Sequence, residues 1–431
     1  MAGRLNTFQK AMLQWNDIHP YNAVHIVRVM QYLDRAHLTN AINAEIGDLG
    51  LGGFSINRRK GTYTFTGGHE GIELRFVDAG ADIASVLSHE AEAELNRPFP
   101  VNAPSPFRFF AVDCPDSFYF GLVYFHAIAG AESIALLLQC LVQRYRERGR
   151  RPYSLPLDLY PKPSNVKPFI RPSLLAGQFR QMLRQIENLR GSCRPRYHKT
   201  EDHKNAFKTF VIRQEQFQKI VATAKRWGVT LNDFFLAVIL RSVSPLAEAR
   251  FRAPRRRQIS AASIANIRKD LKVDVSRTFG LFLGSFSVSH EVPEGISLES
   301  LARDLQRQTD LVKKYKTYLL SPLELKAAEF LVRMLGSGRR SRFYTRNYPL
   351  WAGITNMNLN TIWPQGQGDG PGDYLRGVST GPITPCVFAI TTVGEKVNVG
   401  VSYRTAVFRP EDMEGIVNRF IHAIEGPEVR L

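Results

Sequence analysis

A proline-rich stretch divides this chain of 431 residues into two parts. It runs from Pro152 to Pro172 and contains six prolines with little hydrophobic periodicity. Proline cannot continue a helix or donate to a central strand, so such a stretch is typical of a linker. We therefore predict an N-terminal subdomain over 1–160, a linker over 161–172 and a C-terminal subdomain over 173–431. The total length also exceeds the roughly 150 residues of an ordinary domain.

Strand and helix patterns alternate on both sides of the linker. The segment Ala23–Met30 is rich in β-branched residues and predicts a buried strand, and Asp34 is placed to cap the next helix. In the second part, Thr230 precedes an apolar helical run, with Asp233 at the position that completes a capping box. The alternation predicts an α/β fold in which two layered subdomains face each other.

The chain is basic, and the basic residues are clustered. Lys plus Arg is 57 against 39 acidic residues, a net charge of +18. Its densest cluster is Arg144–Arg151, with others at Arg255–Arg257 and Arg339–Arg342. Such clusters are either solvated loops and helix ends or a landing surface for an acidic partner. We favour an acidic protein over nucleic acid, because the sequence has no zinc-finger spacing, RNA-binding strand motif or recognisable helix-turn-helix.

Composition excludes several classes of protein. Hydrophobic residues make up 44% and charged residues 22%, which is globular rather than disordered or fibrous composition. The four cysteines are far apart and form no metal-binding or disulfide pattern, which fits a reducing compartment. We recognise no signal sequence, and no apolar run reaches the roughly 20 residues of a membrane span. A cytoplasmic protein without membrane attachment is the expectation.

One histidine stands where functional side chains often lie. The segment Phe118–Ser133 reads as an apolar strand, then His126, then a turn of small residues that leads into a helix. Loops at strand ends are exposed yet held by the sheet, and a neutral imidazole there can accept a proton from an attacking amine or hydroxyl. A lone histidine after an apolar strand is also common as a structural residue. Spacing does not decide between the two.

In this order of elements, the chain resembles the condensation domains of nonribosomal peptide synthetases and, more broadly, the chloramphenicol acetyltransferase-like superfamily. The family motif HHxxxDG aligns with the stretch Phe125–Ala131. Other stretches follow in the family's order: Asn96–Pro100, Pro106–Arg108, Val229–Asp233, Asn266–Arg268 with Phe279–Gly284, and Val399–Tyr403 with Phe408. Each stretch alone is weak, and their order carries the resemblance.

The resemblance implies a fold and a reaction. The fold would be two chloramphenicol acetyltransferase-like subdomains in a V-shaped pseudo-dimer with a central tunnel. An acyl thioester, carried by phosphopantetheine on an acidic carrier protein or by coenzyme A, would enter from one face. A small-molecule amine or hydroxyl acceptor would enter from the other, where His126 would orient or deprotonate it. The family uses no metal and no bound organic cofactor in this chemistry.

Three positions depart from the family motif. Phe125 replaces the first histidine, Gly130 the aspartate and Ala131 the final glycine. In the family the aspartate pairs with an arginine, which corresponds here to Arg268. Without it, Arg268 needs another partner or is free to meet substrate. Glu132 is the nearest carboxylate, but at the start of a helix we expect it to be a surface group that complements the helix dipole.

A strand pattern over Trp351–Asn360 supplies two further candidates. Thr355 and Asn356 could contact an oxyanion or the acceptor, or simply bond to neighbouring backbone.

Three readings of function remain. The leading one is condensation-type acyl transfer in specialised metabolism, forming an amide or an ester. The second is a catalytically degenerate module that recruits a partner, and the third is another reaction in the same tunnel.

Overall fold

The architecture is taken from a computed structural model of the chain. It describes residues 2–99, 104–147, 175–198, 204–271, 274–334, 343–344, 347–364, 370–426 and 428–429. The predicted linker at 161–172 lies outside the described residues, so the subdomain boundaries stay a prediction.

The described residues contain fourteen strands in three sheets. In chain order they are β1 (Ala2–Arg4), β2 (Asn22–Val29), β3 (Phe54–Asn57), β4 (Thr62–Phe65), β5 (Glu73–Val77), β6 (Phe107–Cys114), β7 (Ser117–Phe125), β8 (Asn205–Ile212), β9 (Ile259–Asn266), β10 (Leu283–His290), β11 (Leu350–Asn358), β12 (Asp373–Val378), β13 (Cys386–Val393) and β14 (Lys396–Arg404).

Ten α-helices cover the sheets in the described part of the chain. They are α1 (Thr7–Asn16), α2 (Arg35–Asp48), α3 (Ile83–Asn96), α4 (Ala131–Arg146), α5 (Leu175–Arg190), α6 (Gln214–Trp227), α7 (Leu231–Val243), α8 (Leu298–Tyr315), α9 (Ser321–Arg333) and α10 (Pro410–Glu425). Two caps expected from the sequence are confirmed. The Asp34 side chain accepts from the His37 N–H, and Thr230 and Asp233 form the capping box of α7.

Two large sheets define two lobes. The N-terminal lobe is built on a five-stranded sheet of order β12-β2-β7-β6-β5, and the C-terminal lobe on a six-stranded sheet of order β10-β9-β11-β13-β14-β8. Each lobe has its own apolar core. The C-terminal core is centred on α7, which is buried over almost its whole length, as expected of an apolar helix covered by other elements.

One strand crosses between the lobes. Strand β12 belongs to the C-terminal part of the sequence but pairs antiparallel with β2 of the N-terminal sheet, with Arg376 opposite His25. It also lies close against β14, since a Cβ added at Gly400 would be 2.0 Å from the carbonyl oxygen of Arg376. The crossing strand therefore ties the lobes together and places Arg376 between the two large sheets.

Only Arg144 and Arg146 of the densest basic cluster lie within the described residues, so neither interpretation of this cluster is tested. Arg144 is buried and pairs with Glu45 and Asp48 of α2, which neutralises its charge inside the lobe. The cluster at Arg339–Arg342 lies outside the described residues. Arg255 and Arg257 are exposed, which fits both a solvated loop and a landing surface.

No single helix in the described ranges is both long and apolar enough to cross a bilayer. The pair α6 and Leu231–Arg252 meets the test of length and composition together, across a bend of 103°.

Candidate functional site

His126 begins the turn that follows strand β7. Its N–H donates to the carbonyl oxygen of Tyr21 at 3.2 Å, which fixes the backbone beside the N-terminal sheet. The centroid of its ring lies 5.4 Å from that of Tyr21 in a stacked arrangement and 5.6 Å from that of Tyr124 in a T-shaped arrangement. The residue keeps partial solvent exposure despite these neighbours. His126 is therefore held by aromatic rings without being sealed in the core.

The hydrogen bond of the His126 ring defines which nitrogen can act as a base. Nδ1 lies 3.1 Å from the carbonyl oxygen of Ala129. A carbonyl can only accept, so Nδ1 carries the proton and Nε2 keeps a free lone pair. Burial lowers the pKa of His126 to about 4, and the backbone hydrogen bonds oppose this only partly. The ring is therefore neutral at physiological pH, with Nε2 ready to accept a hydrogen bond.

A second histidine lies behind the first. Nδ1 of His25 is 2.7 Å from the hydroxyl of Tyr374, which stands on the crossing strand. Burial lowers the pKa of His25 well below its usual value, and the nearby Arg376 and His126 lower it further. His25 is therefore a buried core residue of the N-terminal sheet.

Other residues of this chain bond to Arg268 in place of the aspartate of the family motif. Its Nε lies 3.1 Å from Glu132, and its Nη2 donates to the Ser133 hydroxyl at 2.7 Å. Nη1 donates to the carbonyl oxygens of Val275 and Thr278. Burial lowers the pKa of Arg268 to about 10, while Glu132 raises it, so the guanidinium stays charged. This network answers the question left open by the sequence, because Arg268 is engaged within the protein.

The expectation for Glu132 is thereby corrected. We placed it as a surface group at a helix end, but its carboxylate reaches across to Arg268 on the other lobe. Glu132 does stand in the first turn of α4, where a carboxylate complements the helix dipole, so the sequence argument missed only the contact with Arg268. A carboxylate two positions after Gly130 can replace the motif aspartate, since the first turn of α4 faces the same arginine.

Ser133 is the site residue that sequence reasoning missed. Its buried hydroxyl donates to the carbonyl oxygen of Gly280 at 2.7 Å and accepts from the N–H of Gly280 at 2.9 Å. Together with the bond from Arg268, this uses the full capacity of one hydroxyl. The Gly130 N–H donates to the same carbonyl at 3.0 Å. The loop around Gly280 is thus fastened to the start of α4, a long-range contact that no local pattern reveals.

An open cleft lies at this junction between the lobes. The N-terminal lobe contributes Gly130, Ala131 and Glu132 to its walls, and the C-terminal lobe contributes Arg268 and Asn266 among others. Gly130 leaves room in it, because an added Cβ would only reach ordinary contact, 3.4 Å from Leu283. The predicted central tunnel, with His126 near its middle, stays a prediction, because His126 does not line this cleft.

Thr355 and Asn356 line the same cleft from strand β11. Asn356 Nδ2 donates to Oδ1 of Asn232 at 2.7 Å, a side-chain contact rather than the backbone contact considered as the alternative. The carbonyl oxygen of Thr355 accepts from Nη2 of the buried Arg376 at 2.9 Å. The cleft therefore brings together Gly130, Glu132, Arg268, Thr355 and Asn356. The residues that line it do not include His126, which lies four positions before Gly130 on the same turn.

Comparison with solved structures identifies the fold. The first condensation domain of the calcium-dependent antibiotic synthetase, in complex with a substrate analogue, matches 100% of this chain and 98% of its own, at TM-score 0.67 and 14% identity. The chain has the condensation-domain fold. The cyclization-docking bidomain of the EpoB synthetase from Sorangium cellulosum matches 100% of this chain and 86% of its own, at TM-score 0.68 and 11% identity.

An epimerization domain of tyrocidine synthetase B has the same fold, at TM-score 0.61 and 10% identity over 98% of this chain and 96% of its own. The predicted α/β architecture of two chloramphenicol acetyltransferase-like subdomains is therefore confirmed. No protein-family model matches the sequence, and no curated protein matches it significantly.

Proposed function

We propose that this protein transfers an acyl group from a thioester to an amine or hydroxyl acceptor, as a condensation-type enzyme of specialised metabolism in the cytoplasm. The observation that carries the proposal is the neutral His126, whose Nδ1 proton is held by Ala129 so that Nε2 can accept. The condensation-domain fold around it, over the whole chain, supports the same reaction class.

The reaction follows from this protonation state. The acceptor nitrogen or oxygen, hydrogen-bonded to Nε2 of His126, attacks the thioester carbonyl carbon while its proton passes to Nε2. The tetrahedral intermediate then expels the thiolate, which takes that proton and leaves as the free thiol. The products are an amide or ester and a thiol. With a pKa of about 4, His126 is a weak base, so orientation of the acceptor is expected to contribute at least as much as proton removal.

The supporting residues have separate roles in this proposal. Arg268, Glu132 and Ser133 hold the cleft wall by joining the first turn of α4 to the loop at Gly280. Thr355 and Asn356 are positioned to contact the substrates where they line the cleft. Gly130 supplies space rather than a side chain.

An acyl carrier protein is the proposed donor, with coenzyme A as the alternative. Such carriers are acidic, and the chain carries a net charge of +18. One structural neighbour, a starter condensation domain, was crystallised with both C8-CoA and Leu-SNAC. That pair shows that the fold admits a coenzyme A thioester in at least that protein.

Thiol release tests the proposal directly. The purified protein is incubated with acyl thioesters of increasing chain length and a panel of amines and alcohols, and free thiol is followed together with the acylated product by mass spectrometry. We expect thiol and product to appear in equal amounts only when both substrates are present. Binding of thioester without any product, across the whole panel, would instead favour the degenerate recruitment module.

A further inference from the structure

Helix α5 turns its apolar side chains toward solvent. Leu175, Phe179, Leu183 and Ile186 are 44%, 59%, 44% and 39% exposed. Their spacing of four, four and three residues places them in one stripe along the helix. Single exposed apolar residues need no explanation, but a continuous stripe is typical of a surface that another molecule covers.

The inner face of α5 is polar, and its contacts fix the orientation of the helix. Gln178 and Gln181 are buried, and Nε2 of Gln178 donates to the carbonyl oxygen of Tyr315 at 3.1 Å. A Cβ added at Gly177 would lie 2.0 Å from the Tyr315 ring, so only glycine allows this close approach to α8. Rotating the helix to bury the stripe would break these contacts.

Positive charges flank the stripe. Arg180, Arg184 and Arg190 are exposed on α5, with Glu187 as the one exposed acidic residue of the helix. An occupant with acidic side chains beside an apolar face would match this surface in both respects.

Charge argues against two other occupants. A second copy of this chain would bring a further net charge of +18 and the same arginines. Residues 148–174, which precede α5, contain six Lys or Arg and one acidic residue, so they share the sign of the arginines.

We propose that the α5 stripe is the docking face for an acidic protein that presents an apolar helix surface. Under the proposed function, on which this identification rests, that protein is the acyl donor's carrier. Helix α5 packs against α8 and β10 of the C-terminal lobe. A carrier docked on α5 would therefore approach the protein on the C-terminal lobe.

The test compares two double variants with the wild-type protein. Phe179→Glu with Leu183→Glu places two acidic groups in the stripe. Val221→Glu with Leu323→Glu is the control, since both residues are exposed apolar positions on other helices. The probes are a phosphopantetheinylated acyl carrier protein, labelled for fluorescence anisotropy, and the same acyl group on coenzyme A.

The stripe variant is expected to weaken carrier binding by about tenfold or more, as loss of a central anchor does, while the control variant binds as the wild type. The kcat/KM of the stripe variant with the coenzyme A thioester should stay within about twofold of the wild-type value. Carrier binding should also weaken between about 50 and 300 mM salt. Unchanged carrier binding by the stripe variant would overturn the proposal.

Sedimentation of the same proteins tests whether a second copy of this chain, rather than a carrier protein, covers α5. A wild-type dimer that becomes a monomer in the stripe variant would show that a second copy covers α5, and the proposal would be wrong. Absence of turnover with both thioesters, while carrier binding still depends on the stripe, would contradict the proposed function and leave the docking face intact.

Discussion

At the scale of single residues, the candidate site depends on a carboxylate that has moved along the chain. The family motif places an aspartate where this chain has Gly130, and the guanidinium of Arg268 is instead paired with Glu132 and Ser133. A buried guanidinium without a partner would cost several kcal/mol, so the displaced carboxylate preserves the charge balance of the junction. The departure from the motif is therefore compensated in its structural role.

Moving the carboxylate from position 132 to position 130 is expected to restore part of the stability that its removal from position 132 costs. Glu132→Ala should lower the free energy of unfolding by about 1–3 kcal/mol, because it leaves the buried Arg268 charge without its carboxylate. Adding Gly130→Asp should recover part of that loss, since the backbone at Gly130 has room for a Cβ. Urea denaturation of the single and double variants measures both effects. If the second substitution lowers stability further, the carboxylate cannot act from position 130.

At the scale of elements, local sequence patterns predicted a strand and two helix caps. They missed the structure that depends on contacts between distant parts of the chain. The strand predicted at Ala23–Met30 and the caps predicted at Asp34 and Thr230 follow from β-branched composition and capping. The crossing strand β12 could not be predicted, because its six residues are paired and covered only by elements far away in the sequence. The contacts of Ser133 escaped for the same reason.

The crossing strand gives a prediction at this scale. Gly400→Ala should lower the free energy of unfolding by about 1–3 kcal/mol, because the new methyl group would meet the backbone of β12 at Arg376 and neither side can rotate away. Gly47→Ala is the matched control, since no atom lies within 4 Å of its added Cβ and it stands in helix α2. It should leave stability unchanged or raise it by about 0.4–1 kcal/mol. Equal effects of the two substitutions would contradict the close packing of β12.

At the scale of the whole molecule, the protonation of two histidines, the buried His25 and the half-buried His126, is linked to folding. His25 and His126 have pKa values lowered by burial, His126 to about 4, whereas an unfolded histidine titrates near 6.5. The unfolded chain therefore binds more protons than the folded chain below about pH 6.5. Stability from these groups is present above that pH and is lost as the pH falls toward 4.

The melting temperature should accordingly fall between pH 7 and pH 5. Each histidine contributes at most about 1.4 kcal/mol per pH unit within its window. His126→Gln should reduce the slope, because glutamine does not titrate. Differential scanning calorimetry across this range gives the slope. A slope that is the same in His126→Gln would mean that His126 is not neutral in the folded protein.

The role of His126 in acyl transfer is tested most directly by the single-turnover rate of the His126→Ala variant. His89→Ala, a substitution at an exposed histidine, is the control. Loss of a group that orients the acceptor and takes its proton should lower the rate by about 10²–10⁴-fold, with an unchanged far-ultraviolet circular dichroism spectrum. The control should transfer at the wild-type rate. Full transfer by a folded His126→Ala protein would contradict the role given to this histidine.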